Sequence, residues 1–328
     1  MSTSLCNMGI EEVQAKPYLC HTIKAKYRLA MKETLDIKTV HQCNCCLGCK
    51  TLHPQASVIR LDNTNVEEHS IRFDFYTILL IENETEDCNC CGRKYYDFSN
   101  ATMVFLPPQH AFDIDKHRVL PQQGWLLAFH PDLLHGTTLE QSIRKYTFFH
   151  YRKEESLHLS LREKNKITDC LHDMDEELHH PIDRYSHTLI SHYIELLLDY
   201  CTRFYERQFI TRENKNKALI QQTDKLLQKC IDSGNLKNGI FPTSEYCAGC
   251  LKLSAAYFDD LLRFETGKTL NEYFQFKRLE LAKKMLLEKG ETAAYVASWL
   301  GFPTVQQFNF IFKKITGFAP NEYRLAQN

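Results

Sequence analysis

Four cysteines fall within seven residues, Cys43, Cys45, Cys46 and Cys49, just after His41. A second group, Cys88, Cys90 and Cys91, repeats the Cys-Asn-Cys-Cys order of the first. Thiolates hold Zn²⁺ in tetrahedral sites and also favour Cu(I) and other soft cations. Structural zinc sites pair C-x2–4-C spacings in both halves. Here the first group offers Cys43 with Cys46 or Cys46 with Cys49, and the second only Cys88 with Cys90 or Cys91. Three readings stay open: one soft-metal site shared by the two groups, redox-responsive thiols, or free thiols with no ligand. Cys247 and Cys250 form a C-x2-C without a second pair, which reads as core or surface filling.

The other enzymatic chemistries lack their residues. His110, His117, His130 and His135 are scattered, and no tight His-x-His with a nearby Glu and a later His is present. His172, His179, His180, His187 and His192 sit in helical patterns and read as structural or solvated. G-x-S-x-G, P-loop and G-x-G-x-x-G motifs are absent. The expectation is that the chain is not an enzyme and requires no cofactor, with zinc or another soft metal the one candidate.

The elements that would position such groups change character along the chain. Short β-rich runs occur at Ser57–Leu61, Phe75–Ile81, Ala101–Leu106 and Gly124–Phe129, separated by Asp, Asn, Gly and Pro. Regularly spaced short strands predict an antiparallel sandwich or barrel. From about Ser160 the period becomes helical. Leu189, Tyr193, Leu196, Leu197, Tyr200, Cys201, Phe204 and Tyr205 place a wide apolar face on a helix over Arg184–Gln208. That face either packs on the sheet or joins two copies of the chain. Thr211–Lys217 is polar and non-periodic and reads as a linker.

Of 328 residues, 43% are hydrophobic and 25% charged, ordinary for globular protein and enough for two or three domains. The net charge of −1 hides an asymmetry: from Asn214 onward, 16 basic residues face 11 acidic ones, and the remainder is acidic. A basic C-terminal third hints at nucleic acid. No apolar run approaches a membrane span, and the first residues carry no basic and apolar leader pattern. The expectation is a cytoplasmic protein with reduced thiols and no membrane partner.

That C-terminal third is dense in helix signals. Ser254 is placed to cap a helix that ends at Thr266-Gly267. Thr269 and Glu272 form a capping box that opens a long helix to Lys289-Gly290. A short helix over Thr292–Leu300 stops at Gly301, and Thr304 with Gln307 opens another that ends at Thr316-Gly317. The order predicts two helix-turn-helix units joined by a connecting helix. In such units the second helix presents its N-terminal residues to the major groove. The candidate DNA-contact residues are Ser254, Ala255, Ala256, Tyr257 and Arg263 in the first unit. In the second they are Thr304, Gln306, Gln307, Asn309, Lys313 and Lys314. Gln and Asn can pair with adenine, and Lys with guanine or phosphate.

These residues carry a resemblance. Tyr257-Phe258, Glu265-Thr266-Gly267, Tyr273, Leu281-Ala282, Val296-Ala297, Leu300-Gly301-Phe302, Phe308, Phe312-Lys313-Lys314, Gly317 and Pro320–Arg324 occur in an order that resembles the double helix-turn-helix domain of AraC-type transcriptional regulators. The resemblance covers about residues 218–326. It implies a monomer that sets two recognition helices in successive major grooves. It also implies Val296, Ala297 and Leu300 as core, Gly301 as the turn, Phe308 and Phe312 as anchors, and Lys313-Lys314 near phosphates. Two departures stand out: Phe310 where the family often has Arg, and Asp259-Asp260 on the first recognition helix. A looser set, Tyr95–Phe98, Leu106–Pro108, Gly124-Trp125 and Phe129-His130, resembles the family's cupin-like effector half.

The expected architecture is α+β. A β-rich, cupin-like barrel or sandwich over 1–155 acts as sensor. A helical dimerisation segment with linker covers 156–213, and an all-α double helix-turn-helix domain covers 214–328. The resemblance implies a sequence-specific DNA-binding transcription regulator. Its partners would be a duplex operator, RNA polymerase, a small-molecule effector and a second copy of the chain. The rival is a thiol or soft-metal sensor, or a zinc-thiolate alkyl acceptor, coupled to the same DNA-binding domain.

Overall fold

The apolar runs of the N-terminal half form strands buried on both faces, and this sets the layering. The computed structural model describes residues 34–61, 70–82, 90–113, 123–288 and 290–327. Its strands are β1 (Thr34–Ile37), β2 (Ala56–Arg60), β3 (Ser70–Phe73), β4 (Tyr76–Glu82), β5 (Ala101–Leu106), β6 (Ala111–Asp113), β7 (Gly124–Phe129) and β8 (Leu157–Leu159). Five of them form an antiparallel sheet in the order β2-β7-β4-β5-β8. The other three form a small sheet, β1-β3-β6, in which β1 and β3 run parallel.

Alternate side chains of the larger sheet serve two cores. Ile78, Leu80, Met103, Phe105, Trp125, Leu127 and Phe129 point towards helices, whereas Leu79, Val104, Leu106, Leu126 and Ala128 point towards the small sheet. A sheet covered on both faces needs continuous apolar runs, which is what the sequence of β4, β5 and β7 shows. The described strands therefore make two packed sheets. Of the barrel or sandwich expected above, a closed barrel is not what the described residues display.

The first helix, α1 (Val40–Cys46), is fixed by a Thr39/Gln42 capping box and closes the far side of the small core. After α2 (Thr138–Ser142) and a run of short 3-10 turns between Ile143 and Glu155, two long helices follow, α3 (Leu161–His179) and α4 (Ser186–Thr211). Ser160 and Glu163 form the capping box of α3. The main apolar stripe of α4, Ile190, Ile194, Leu197, Leu198, Cys201 and Tyr205, packs into the sheet core. Leu189 and Leu196, read as part of that stripe, remain exposed.

The remaining helices are α5 (Glu213–Asp232), α6 (Ser244–Leu251), α7 (Ala255–Thr266), α8 (Leu270–Leu287), α9 (Ala293–Trp299), α10 (Val305–Thr316) and α11 (Pro320–Gln327). They enclose their own core around Phe258, Phe274, Leu286, Phe308 and Phe312. The expected linker over Thr211–Lys217 is instead helix, interrupted only at Arg212. Two of its polar residues are buried and hydrogen-bonded. The Arg212 guanidinium makes a two-pronged contact with Asp97 at 2.8 and 2.7 Å, and the Asn216 amide donates to the Phe209 carbonyl at 2.9 Å. Arg212 is 2% exposed and Asn216 fully buried, so the two halves meet through a packed joint.

Candidate nucleic-acid interface

The two helix-turn-helix units repeat one another in their hydrogen bonds. In the first turn the Leu253 N–H donates to the Ala248 carbonyl at 2.9 Å; in the second the Phe302 N–H donates to the Ala297 carbonyl, also at 2.9 Å. Both turns pass through the left-handed region, at Lys252 (φ 60°) and Gly301 (φ 70°). A Cβ on Gly301 would lie 2.5 Å from the Leu236 carbonyl oxygen, so backbone proximity as well as φ requires glycine there. Ser254 caps α7 by accepting from the Tyr257 N–H at 3.2 Å, and Thr304 caps α10 by accepting from the Gln307 N–H at 3.1 Å. The reciprocal Gln307 bond of a full capping box is not among the described bonds. Each helix has 12 residues and ends on a left-handed glycine, Gly267 or Gly317. In both, the preceding threonine donates back, Thr266 to Leu262 at 2.6 Å and Thr316 to Phe312 at 2.7 Å.

Their surfaces differ. On α10, Phe308 and Phe312 are fully buried anchors, and Thr304, Gln306, Gln307, Lys313 and Lys314 are exposed. Asn309 is half-buried, and its carboxamide oxygen is enclosed with no hydrogen-bond partner in the described structure. Phe310 is 68% exposed and Ile315 57% exposed. Phe310 was not among the expected contacts, although its spacing of four from Gln306 and three from Lys313 puts it on their face. An exposed Phe beside Gln and Lys can meet a thymine methyl group.

On α7 the expected contacts are placed otherwise. Arg263 is exposed and Ala255 and Ala256 are half-buried. Ser254 and Tyr257 are buried, at 9% and 2% exposure, and are not on an open surface. The reason is a contact with the N-terminal half. The Ser254 N–H and hydroxyl donate to the Glu155 carboxylate at 2.8 and 2.5 Å. The Tyr257 ring packs on Tyr151 and Phe209 at 5.1 and 5.4 Å. Asp260 accepts from the hydroxyls of Thr147 and Tyr151, the latter at 2.7 Å. Asp259 accepts from Ser244 at 2.6 Å, and burial pushes its carboxyl above the usual range.

The connecting helix α8 holds a charge out of solvent. Arg278 is 2% exposed, with its guanidinium 3.9 Å from the Phe302 ring centre and close to Phe241 and Phe274. Burial lowers its pKa to about 10. One of the basic residues behind the C-terminal surplus thus packs inside the domain.

The thiols divide by depth. Cys43 is fully buried and Cys91 is 5% exposed, and both lie in the core between the small sheet and α1. Burial pushes the Cys43 thiol up to about 12, away from the thiolate that a metal requires. Cys45 and Cys46 are exposed and Cys49 is half-buried. Cys45 Sγ lies 3.6 Å from His41 Nε2. Cys88 and the Cys90 side chain lie outside the described residues. Among those described, no three His, Cys, Asp or Glu side chains converge as a metal site would. No described helix is long and apolar enough to cross a membrane.

Residues 247–326 match a protein family described as "Helix-turn-helix domain". Among curated proteins, the chain is 41% identical over 69 residues to "Uncharacterized HTH-type transcriptional regulator YobQ" of Bacillus subtilis, covering 21% of this chain and 29% of that one. It is 28% identical over 113 residues to "Probable transcriptional regulator LumQ" of Photobacterium leiognathi, covering 34% and 41%. The chain thus spans less than half the length of these relatives. Among solved structures, the C-terminal domain of AraT from Geobacillus stearothermophilus is 25% identical, with 33% of this chain and 84% of that one covered and a TM-score of 0.28. ToxT from Vibrio cholerae is 12% identical over 83% of this chain and 94% of its own, with a TM-score of 0.29.

Proposed function

From the premise that the C-terminal region is an AraC-type helix-turn-helix domain, we propose that the chain is a sequence-specific DNA-binding transcription regulator. The observation that carries this is the α10 surface. A capped helix, anchored by Phe308 and Phe312, presents Gln306, Phe310, Lys313 and Lys314 to solvent with no group of the described residues over them. Glutamine can read a base edge, phenylalanine a thymine methyl, and the two lysines phosphates. YobQ and LumQ carry the names of an HTH-type and a probable transcriptional regulator, which agrees with a binding role and not an enzymatic one.

Regulation would come from the two-sheet half, acting in the cytoplasm with RNA polymerase as downstream partner. A small-molecule effector shifts such a protein only by binding one arrangement of the halves more tightly than another. The exposed Leu189 and Leu196 on α4 support a second copy of the chain as partner. The alternative effector is a soft metal or electrophile at the accessible Cys45, Cys46 and Cys49. Elemental analysis and thiol counts of the purified chain distinguish the two.

The test is binding of the full chain to duplexes enriched from a random pool. Affinity is expected to fall steeply with salt as Lys and Arg displace condensed counterions. A folded chain that shows no salt-sensitive DNA binding at low ionic strength would remove this reading.

A further inference from the structure

We propose that α7 is a docking helix seated on the N-terminal half, and that each copy of the chain reads DNA through α10 alone. The second part rests on the DNA-binding reading above; the first does not. Two of the five expected contact residues of α7, Ser254 and Tyr257, are here occupied by protein, and so is Asp260. Glu155, 4% exposed, places its carboxylate on the Ser254 amide and hydroxyl at the first turn of α7, where the helix dipole favours a negative charge. One turn on, Asp260 is held by Thr147 and Tyr151. Between them Tyr257 and Leu261, 2% and 1% exposed, close an apolar contact with Phe209.

Two features make this a lasting seat and not a passing one. Undocking would expose Tyr257, Leu261 and Phe209 together. It would also strip Glu155 of its Ser254 partner and remove Tyr257 from beside Arg212, whose side chain is 1% exposed in its pair with Asp97. A freed α7 would still present Asp259 and Asp260, and carboxylates on a groove-facing helix repel phosphates. The chemistry of the helix therefore suits a protein partner and opposes a nucleic acid one.

The experiment uses the full chain and two readouts. The first needs no DNA: amide hydrogen exchange at Ser254, whose N–H acceptor lies in the other half of the protein. The expected result is a strongly protected Ser254 amide that exchanges at least about tenfold faster in Glu155→Gln, with a smaller acceleration in Tyr151→Phe. A Ser254 amide that exchanges unprotected in the wild-type chain overturns the docking. The second readout is affinity for a duplex enriched from a random pool. Gln306→Ala is expected to lose about tenfold or more, whereas Arg263→Ala on the exposed side of α7 stays within twofold with an unchanged salt slope. A tenfold loss in Arg263→Ala, with two successive major grooves protected per copy of the chain, overturns single-groove reading. A pool that enriches no duplex overturns the DNA-binding reading itself, and the Ser254 amide still decides the docking.

Discussion

The α6–α7 unit and the α9–α10 unit share turn geometry, cap chemistry and helix length, yet one faces protein and the other faces solvent. Position for position, Ser254 matches Thr304, Tyr257 matches Gln307, Asp260 matches Phe310, and Arg263 matches Lys313. The backbone bonds are made by small polar caps, glycines and threonines, and these barely differ between the units. The side chains that leave the helix decide what each unit touches. In α7 they are Tyr and Asp, which fill an apolar pocket and accept from hydroxyls. In α10 they are Gln, Phe and Lys, which nothing in the described structure covers. A fold repeat is therefore not a functional repeat.

The largest expected effect comes from the joint that holds the first unit in place. Arg212→Leu leaves the Asp97 carboxylate buried without its partner and should cost about 3–5 kcal/mol in urea unfolding. The double change Asp97→Leu/Arg212→Leu should cost distinctly less, because it removes both charges. Acid should find the same joint. Burial pushes the Asp97 carboxyl up, but its bonds to Arg212 and the Lys94 N–H outweigh that and hold it below its ordinary value. The folded state then releases that proton more readily than the unfolded chain, so this contribution is present above about pH 3.9 and lost as pH falls through the folded value. His158, buried on β8, has its pKa lowered to about 4 chiefly by burial. The unfolded chain therefore binds its proton first, and stability should decline as pH falls from about 6.5 towards 4. A flat unfolding free energy over that range would show that His158 is solvated.

The next effect separates the two turns. Gly301→Ala forces a side chain into the left-handed region and into the Leu236 carbonyl, and should cost at least about 1–3 kcal/mol. Loss of DNA affinity should accompany it, since α10 starts from that turn. For the reading surface itself, Gln306→Ala should cost about 1–3 kcal/mol on the preferred duplex and little on random DNA. Lys313→Ala should weaken both alike and reduce the salt slope by about one. Equal losses on specific and random DNA for Gln306→Ala would show that it does not read bases.

What was legible in the sequence follows the range of the interactions. Ser254, Thr269, Thr304, Gly267 and Gly317 act within four residues of themselves, so the helix boundaries and the repeat could be read directly. The strands β4, β5 and β7 showed as apolar runs, although their burial on both faces appears only when the second sheet is in place. The strands of that second sheet leave no apolar run in the sequence, because β1, β3 and β6 have only three or four residues each. The docking of α7 could not be read at all: Glu155 and Ser254 are 99 residues apart, and neither spacing nor pattern links them. For the same reason Arg212 reads as a linker residue in the sequence: its partner Asp97 is 115 residues away.

The smallest effect is also the sharpest test of whether the turns are equivalent. Lys252 holds the left-handed conformation that Gly301 holds in the second unit, and its side chain is exposed. Glycine would relieve the strain of a side chain at φ 60°, which costs roughly 1–2 kcal/mol. It would also give back part of that gain by adding freedom to the unfolded chain, roughly 0.4–1 kcal/mol. Lys252→Gly should therefore stabilise by about 0.5 kcal/mol, seen as a small rise in the urea midpoint with an unchanged slope. The opposite substitution at the second turn is destabilising, so the pair has opposite signs at matched positions. A clear loss in Lys252→Gly would mean that the lysine stem packs against its neighbours, and that the first turn is held by its side chain and not by backbone geometry alone.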